Sequence, residues 1–142
     1  MRKKIISLAF ILVISYIGWV KTYHYNIDKA VTHIENNALS KSHTCCAWFV
    51  MRAMNKGGCP IGILPAYAYR YVLPWYGFTE ISKDSPLRKG DIIVFPHVKH
   101  HIYGHIAMWT GDQWISDFKQ KSMYPATGYL KSKYKIFRYK TQ

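Results

Sequence analysis

The chain reads as α+β: N-terminal helices packed on a small antiparallel β-sheet, with a hydrophobic helix ahead of them. Three observations predict this. An uncharged apolar run opens the sequence. Apolar residues then recur at helical spacing between residues 27 and 73. From Gly90 onward the pattern changes to short apolar runs bounded by glycine and proline, which is strand patterning. Helices followed by a run of strands is the order of an α+β domain. The 142 residues suffice for one domain and a short appendage. With 49% of them apolar, a real core is within reach.

Arg2, Lys3 and Lys4 precede an uncharged stretch from Ile5 to Val20, closed by Lys21. As a helix this stretch spans roughly 24 Å, a little short of the roughly 30 Å hydrocarbon layer. No small-x-small cleavage site follows it, and Tyr16 and Trp19 suit a membrane interface. Residues 1–22 are therefore expected to be a signal peptide or signal anchor, with the basic end inside and the rest exported. In residues 23–41, Ile27, Ala30, Val31, Ile34 and Ala38 share one helical face, so an amphipathic helix or linker is expected there.

The domain proper is expected over residues 42–142. Its first helix should start at or just before Thr44, with Thr44 or Ser42 as N-cap. Cys46, Phe49, Val50, Ala53 and Met54 then share a face, and Gly57-Gly58 ends the helix. A further helix should open at Pro65 and run to Leu73, with Pro74 stopping or kinking it. Asp91 to Phe95, His105 to Thr110, Trp114 to Phe118 and Tyr134 to Tyr139 read as strands. Gly111-Asp112-Gln113 makes a hairpin between the second and third.

The formal charge is +13 and the pI near 9.7. Such a surface favours an anionic partner: a membrane surface, a cell wall or a nucleic acid. The apparent export signal and the lack of a nucleic-acid-binding motif argue against the last. Three cysteines in an exported chain leave at least one unpaired. A Cys45–Cys59 disulfide with Cys46 free and three free thiols both fit the sequence.

Thiol, imidazole and carboxylate occur in the order Cys46, His105, Asp117. A cysteine on the first turn of a helix gains thiolate character from the helix N-terminus, and an imidazole can take its proton. A third group usually orients the imidazole through its other nitrogen. Asp117 is the expected third group, with Ser116 beside it on the opposite sheet face. Backbone N–H groups at the start of the Cys46 helix are candidates to stabilise an oxyanion. Each residue has an ordinary reading as well: Cys46 lies on an apolar helix face, His105 in a strand and Asp117 near a turn.

The segments resemble the CHAP family (cysteine, histidine-dependent amidohydrolase/peptidase) and the related NlpC-type cell-wall peptidases. The parallels are Cys46-Ala47 with Val50 and Ala53 following, Gly90-Asp91-Ile92, Gly104-His105-Ile106-Ala107, and Ser116-Asp117. They span about residues 42–139. The resemblance implies a papain-like amide hydrolase acting on peptidoglycan, with Cys46 as nucleophile, His105 as general base and Asp117 as orienting acid. CHAP sequences often add an asparagine afterwards; Gln120 stands in that region here. Where NlpC-type enzymes carry Asp-Cys-Ser, this chain has Thr44-Cys45-Cys46. Cys46 is preferred to Cys45 because alanine follows it. The rival readings are a membrane-tethered basic wall-binding module with an inactive version of the fold, and a thiol acyltransferase.

His97, His100, His101 and His105 cluster, with His43 upstream, but no second compact ligand pair accompanies them. A titratable cleft rim is expected rather than a metal site, and no cofactor. His101, with Tyr67, Tyr71 and Trp75 from the aromatic-rich segment, are the candidates to contact substrate. An immunity or regulatory protein is a further possible partner. The expected location is the cell envelope, anchored in the inner membrane or released if residues 1–22 are removed.

Overall fold

The structure is a computed structural model and describes residues 23–140. The expected signal peptide or anchor, with its hydrophobic helix, lies outside the described residues. Among the described residues, no helix is long and apolar enough to cross a membrane.

Helix α1 spans Ile27–Asn37 and is capped by Asn26, whose side chain accepts from Lys29 N–H at 2.9 Å. It buries Ala30, Val31 and Ile34, the face predicted from spacing. It is shorter than the expected amphipathic segment because Leu39 turns away to bridge with Phe118, donating its N–H to Asp117 O at 2.8 Å.

Helix α2 spans Cys46–Lys56 and buries Val50, Ala53 and Met54. Its predicted start is corrected by two residues. Thr44 takes a left-handed φ of 59°, its hydroxyl donates to His43 O, and Cys45 is the N-cap with no side-chain cap of its own. The segment ahead of the helix is held instead by an acceptor from far along the chain, as described below. Between Ala66 and Tyr76 the predicted single helix is broken into short turns. These are a 3₁₀ turn at Ala66–Ala68, helix α3 at Tyr69–Val72, and a second 3₁₀ turn at Leu73–Tyr76. Pro74 does not stop the segment, since the start of a new turn needs no N–H from it.

Five strands form one antiparallel sheet: β1 Phe78–Ile81, β2 Ile92–Phe95, β3 His105–Trp109, β4 Trp114–Ile115 and β5 Lys135–Tyr139. Their order is β1-β5-β2-β3-β4. β1 was not anticipated. Thr79 and Glu80 are exposed, and the strand exists by pairing with β5, from Phe78 opposite Tyr139 to Ile81 opposite Ile136. β4 is two residues long rather than the predicted five, because Ser116 N–H turns back to Phe118 O at 3.0 Å.

The central strand β2 is buried on both faces, as its unbroken apolar run requires. Ile92 and Val94 join Ile106, Met108 and Phe137 beneath α1 and α2. Ile93 and Phe95 point the other way, into a second cluster with Ala107, Trp114, Tyr129 and Ile136. The segment between β4 and β5 covers that face through Met123, Tyr124 and Tyr134. At the start of β2, buried Asp91 takes both Nε and Nη2 of Arg138, at 2.8 and 2.7 Å. This bidentate pair ties β2 to β5. All three cysteines are free thiols, so the alternative Cys45–Cys59 disulfide is not formed.

Candidate active site

The shortness of β4 opens the site. It pairs only with Met108 and Trp109, so the first residues of β3 have no strand on that side. α2 packs against β3 and brings Cys46 to this open edge. Burial pushes the Cys46 thiol up to about 11, with Ile106 N–H and Ala47 N–H working against the rise and the Asp117 carboxylate adding to it. The resting group is a neutral thiol.

His105 opens β3 directly after Gly104. That glycine sits at φ 68°, and a Cβ there would lie 2.5 Å from Phe95 O and 3.0 Å from Tyr67 Cβ, so no other residue fits. The imidazole is 7% exposed, between Phe95 (ring centroids 6.2 Å apart) and Tyr129 (6.0 Å). Burial drives its pKa down to about 4, against the opposing pull of Gln120 and Asp117.

Gln120 decides which ring nitrogen is free. Its side-chain nitrogen donates to Ser122 O at 3.1 Å and Met123 O at 3.2 Å. Its Oε1 therefore faces His105 Nε2, at 2.7 Å, and can only accept. The hydrogen-bond network thus assigns the proton to Nε2 and leaves Nδ1 as the basic nitrogen.

Asp117 is buried, but its hydrogen bonds go elsewhere. Oδ2 accepts from His43 N–H at 2.6 Å, from Ser42 Oγ–H at 3.3 Å and from Cys45 N–H at 3.4 Å. The Cys45 thiol also points at Oδ2, at 3.7 Å. Burial pushes the carboxyl up, yet the His43 and Cys45 N–H groups outweigh it and hold the pKa below the usual value. Asp117 thus fixes the segment that leads into Cys46, and Gln120 occupies the hydrogen-bonding place beside His105 expected for it. Ser116 is not on an opposite strand face. It lies past the end of β4, buried, and donates to Asp117 Oδ1 at 3.2 Å.

Cys46 and His105 line one cleft of about 650 Å³. Tyr129 lines it too, and Trp48, Ile63, Ile102 and Tyr103 stand exposed around its walls. Of the four candidate substrate contacts, only His101 lines the cleft. Tyr71 and Trp75 are 67% and 68% exposed on turns outside it, and Tyr67 sits behind Gly104, edge-on to His97 at 5.9 Å. Sequence reasoning missed the wall residues because they come from three separate loops and a helix start. The one available signal was the cluster of apolar side chains in otherwise polar loops, such as Ile102-Tyr103 after His100-His101.

A helix-borne cysteine and a strand-borne histidine lining one cleft, on helices packed against an antiparallel sheet, make a papain-like scaffold. Two solved structures carry the comparison further. One is the type VI native effector–immunity complex Tae3–Tai3 from Ralstonia pickettii. It matches with a TM-score of 0.75 and 34% identity, over 82% of this chain and 100% of that one. The other is the selenomethionine form of the same complex, with a TM-score of 0.70 and 35% identity, over 77% and 98%. The chain belongs to the family of Tae3, the effector of that complex. No family model matches it, and no curated protein does.

Proposed function

We propose that the chain is a cysteine amidase that hydrolyses peptide amide bonds of peptidoglycan. The observation that carries the reading is the shared cleft of Cys46 and His105, with Nε2 of the histidine held by Gln120 and Nδ1 left free. The match to a type VI effector supports a target in the envelope of another cell.

In this mechanism the resting pair is thiol and neutral imidazole, since the thiol is raised to about 11 and the imidazole lowered to about 4. Nδ1 takes the thiol proton as the sulfur attacks the amide carbonyl, so His105 is a general base rather than half of a preformed ion pair. The imidazolium is then held by Gln120 Oε1. The carbonyl oxygen, now negative, meets N–H groups of the first turn of α2, which have no partner within the helix. Nδ1–H protonates the leaving amine, and the C–N bond breaks to give a thioester on Cys46. His105 then deprotonates water, which attacks the thioester, releases the carboxylic acid and returns the thiol.

Asp117 acts on the segment before Cys46 and not on the reacting atoms. Residues 1–22 are proposed to take the chain to the envelope as a signal or anchor. The effector–immunity pairing of the matched complexes supports a dedicated immunity protein as partner.

The test is digestion of purified peptidoglycan by the full chain, read by mass analysis of released muropeptides. Release that is abolished in Cys46→Ala and retained in Cys45→Ala is the expected result. Wall binding without release defeats the enzyme reading in favour of a binding module. A fatty-acyl adduct on Cys46, in place of a muropeptide adduct, defeats it in favour of acyl transfer.

A further inference from the structure

A second pocket, of about 280 Å³, adjoins the catalytic cleft. Ser42, Phe118 and Pro125 form walls of both. Its other lining includes Lys41, Lys119 and Lys121, all exposed. No acidic side chain lines either pocket. Among the described residues three cations pair with carboxylates: Lys89 with Asp28, Lys135 with Glu80 and Arg138 with Asp91. Among the described residues, Lys41, Lys119 and Lys121 have none. The acidic neighbour in sequence, Asp117, is buried and already accepts from His43, Cys45, Ser42 and Ser116.

Three lysines line one concavity that has no carboxylate among its lining residues, which gives it a net positive field that favours an anion. From this placement we infer that the pocket is an anion subsite, and that it takes a free carboxylate of the peptide whose amide bond enters the cleft. The inference rests on the amidase reading and names a feature of its substrate: a carboxylate within reach of the scissile amide. The same stem with that carboxylate converted to carboxamide is a poorer ligand.

The experiment uses the full chain with Cys46→Ala, which binds without turnover. Calorimetry compares a defined muropeptide bearing free carboxylates with its carboxamide form. The free acid should bind roughly tenfold tighter, the product of three modest solvent-exposed contacts. Lys41→Ala, Lys119→Ala and Lys121→Ala together should remove the difference. The corresponding three arginine substitutions should keep it, since charge and not lysine-specific packing carries it. Equal affinity for the two peptides overturns the inference, as does a preference that survives the alanine substitutions. If the wild-type chain still hydrolyses both peptides, only the subsite falls and the amidase stands. Failure to bind either peptide, with no hydrolysis by the wild type, sinks both.

Discussion

Acidification should destabilise this protein in a window set by His105. The ring is almost wholly enclosed and neutral, with a pKa of about 4 against an ordinary value of 6.5. Between those values the unfolded chain binds a proton that the folded chain refuses, so stability rises with pH across the window. The contribution is present in full above about pH 6.5 and is lost as the pH falls toward 4. The difference of about 2.5 units, at 1.36 kcal/mol each, amounts to on the order of 3 kcal/mol. That is a large share of the 5–15 kcal/mol that holds an ordinary domain together. Urea unfolding at a series of pH values measures it, with His105→Gln as reference. Glutamine has no titrating ring and can still donate to Gln120. The wild type should lose stability more steeply than the variant between about pH 6.5 and pH 4.5. Parallel curves would mean that the imidazole is not held neutral inside, and the general-base assignment would lose its support. Asp117 does not confuse the result, because its lowered pKa acts below the histidine window.

Other substitutions test the remaining parts of the site. Gln120→Ala leaves Nε2–H without its acceptor and should lower kcat by about 10- to 100-fold with little change in KM, read on a defined muropeptide. Gln120→Glu sets a carboxylate against Nε2–H and should raise the imidazole pKa, moving the acid limb of the pH–rate profile upward from about 4. Asp117→Ala removes the acceptor of the part-buried His43 and Cys45 N–H bonds and should cost about 1 kcal/mol in urea unfolding, with a fall in activity as the lead into Cys46 loosens. Gly104→Ala forces a left-handed alanine against Phe95 O, and thermal unfolding should report a loss of at least about 1–2 kcal/mol.

Much of the scaffold was legible in the residues. Ala30, Val31 and Ile34 buried their predicted face, and the apolar run Ile92 to Phe95 became the central strand. Periodicity reports burial: α1 buries one face and β2 all four of its residues. Elements that depend on a distant partner were read poorly. β1 needs β5 to exist, and β4 stops at Ile115 because the chain folds back on itself there. The aromatic segment misled for a related reason: Tyr71 and Trp75 look like a binding wall in sequence but stand on turns outside the cleft.

The sequence by itself determined the fold class, the helix that carries Cys46 and the glycine that precedes His105 in β3. Each of these follows from local backbone preference and side-chain spacing, which neighbouring residues carry among themselves. Only the tertiary structure decided the division of labour between Asp117 and Gln120. The acid stands three residues before the amide, yet it bonds to a loop 72 to 75 positions earlier in the chain, while the amide reaches back 15 to the imidazole. That choice turns on how far β4 pairs before it bends, and hydrogen-bond partners so distant leave no periodic trace in sequence.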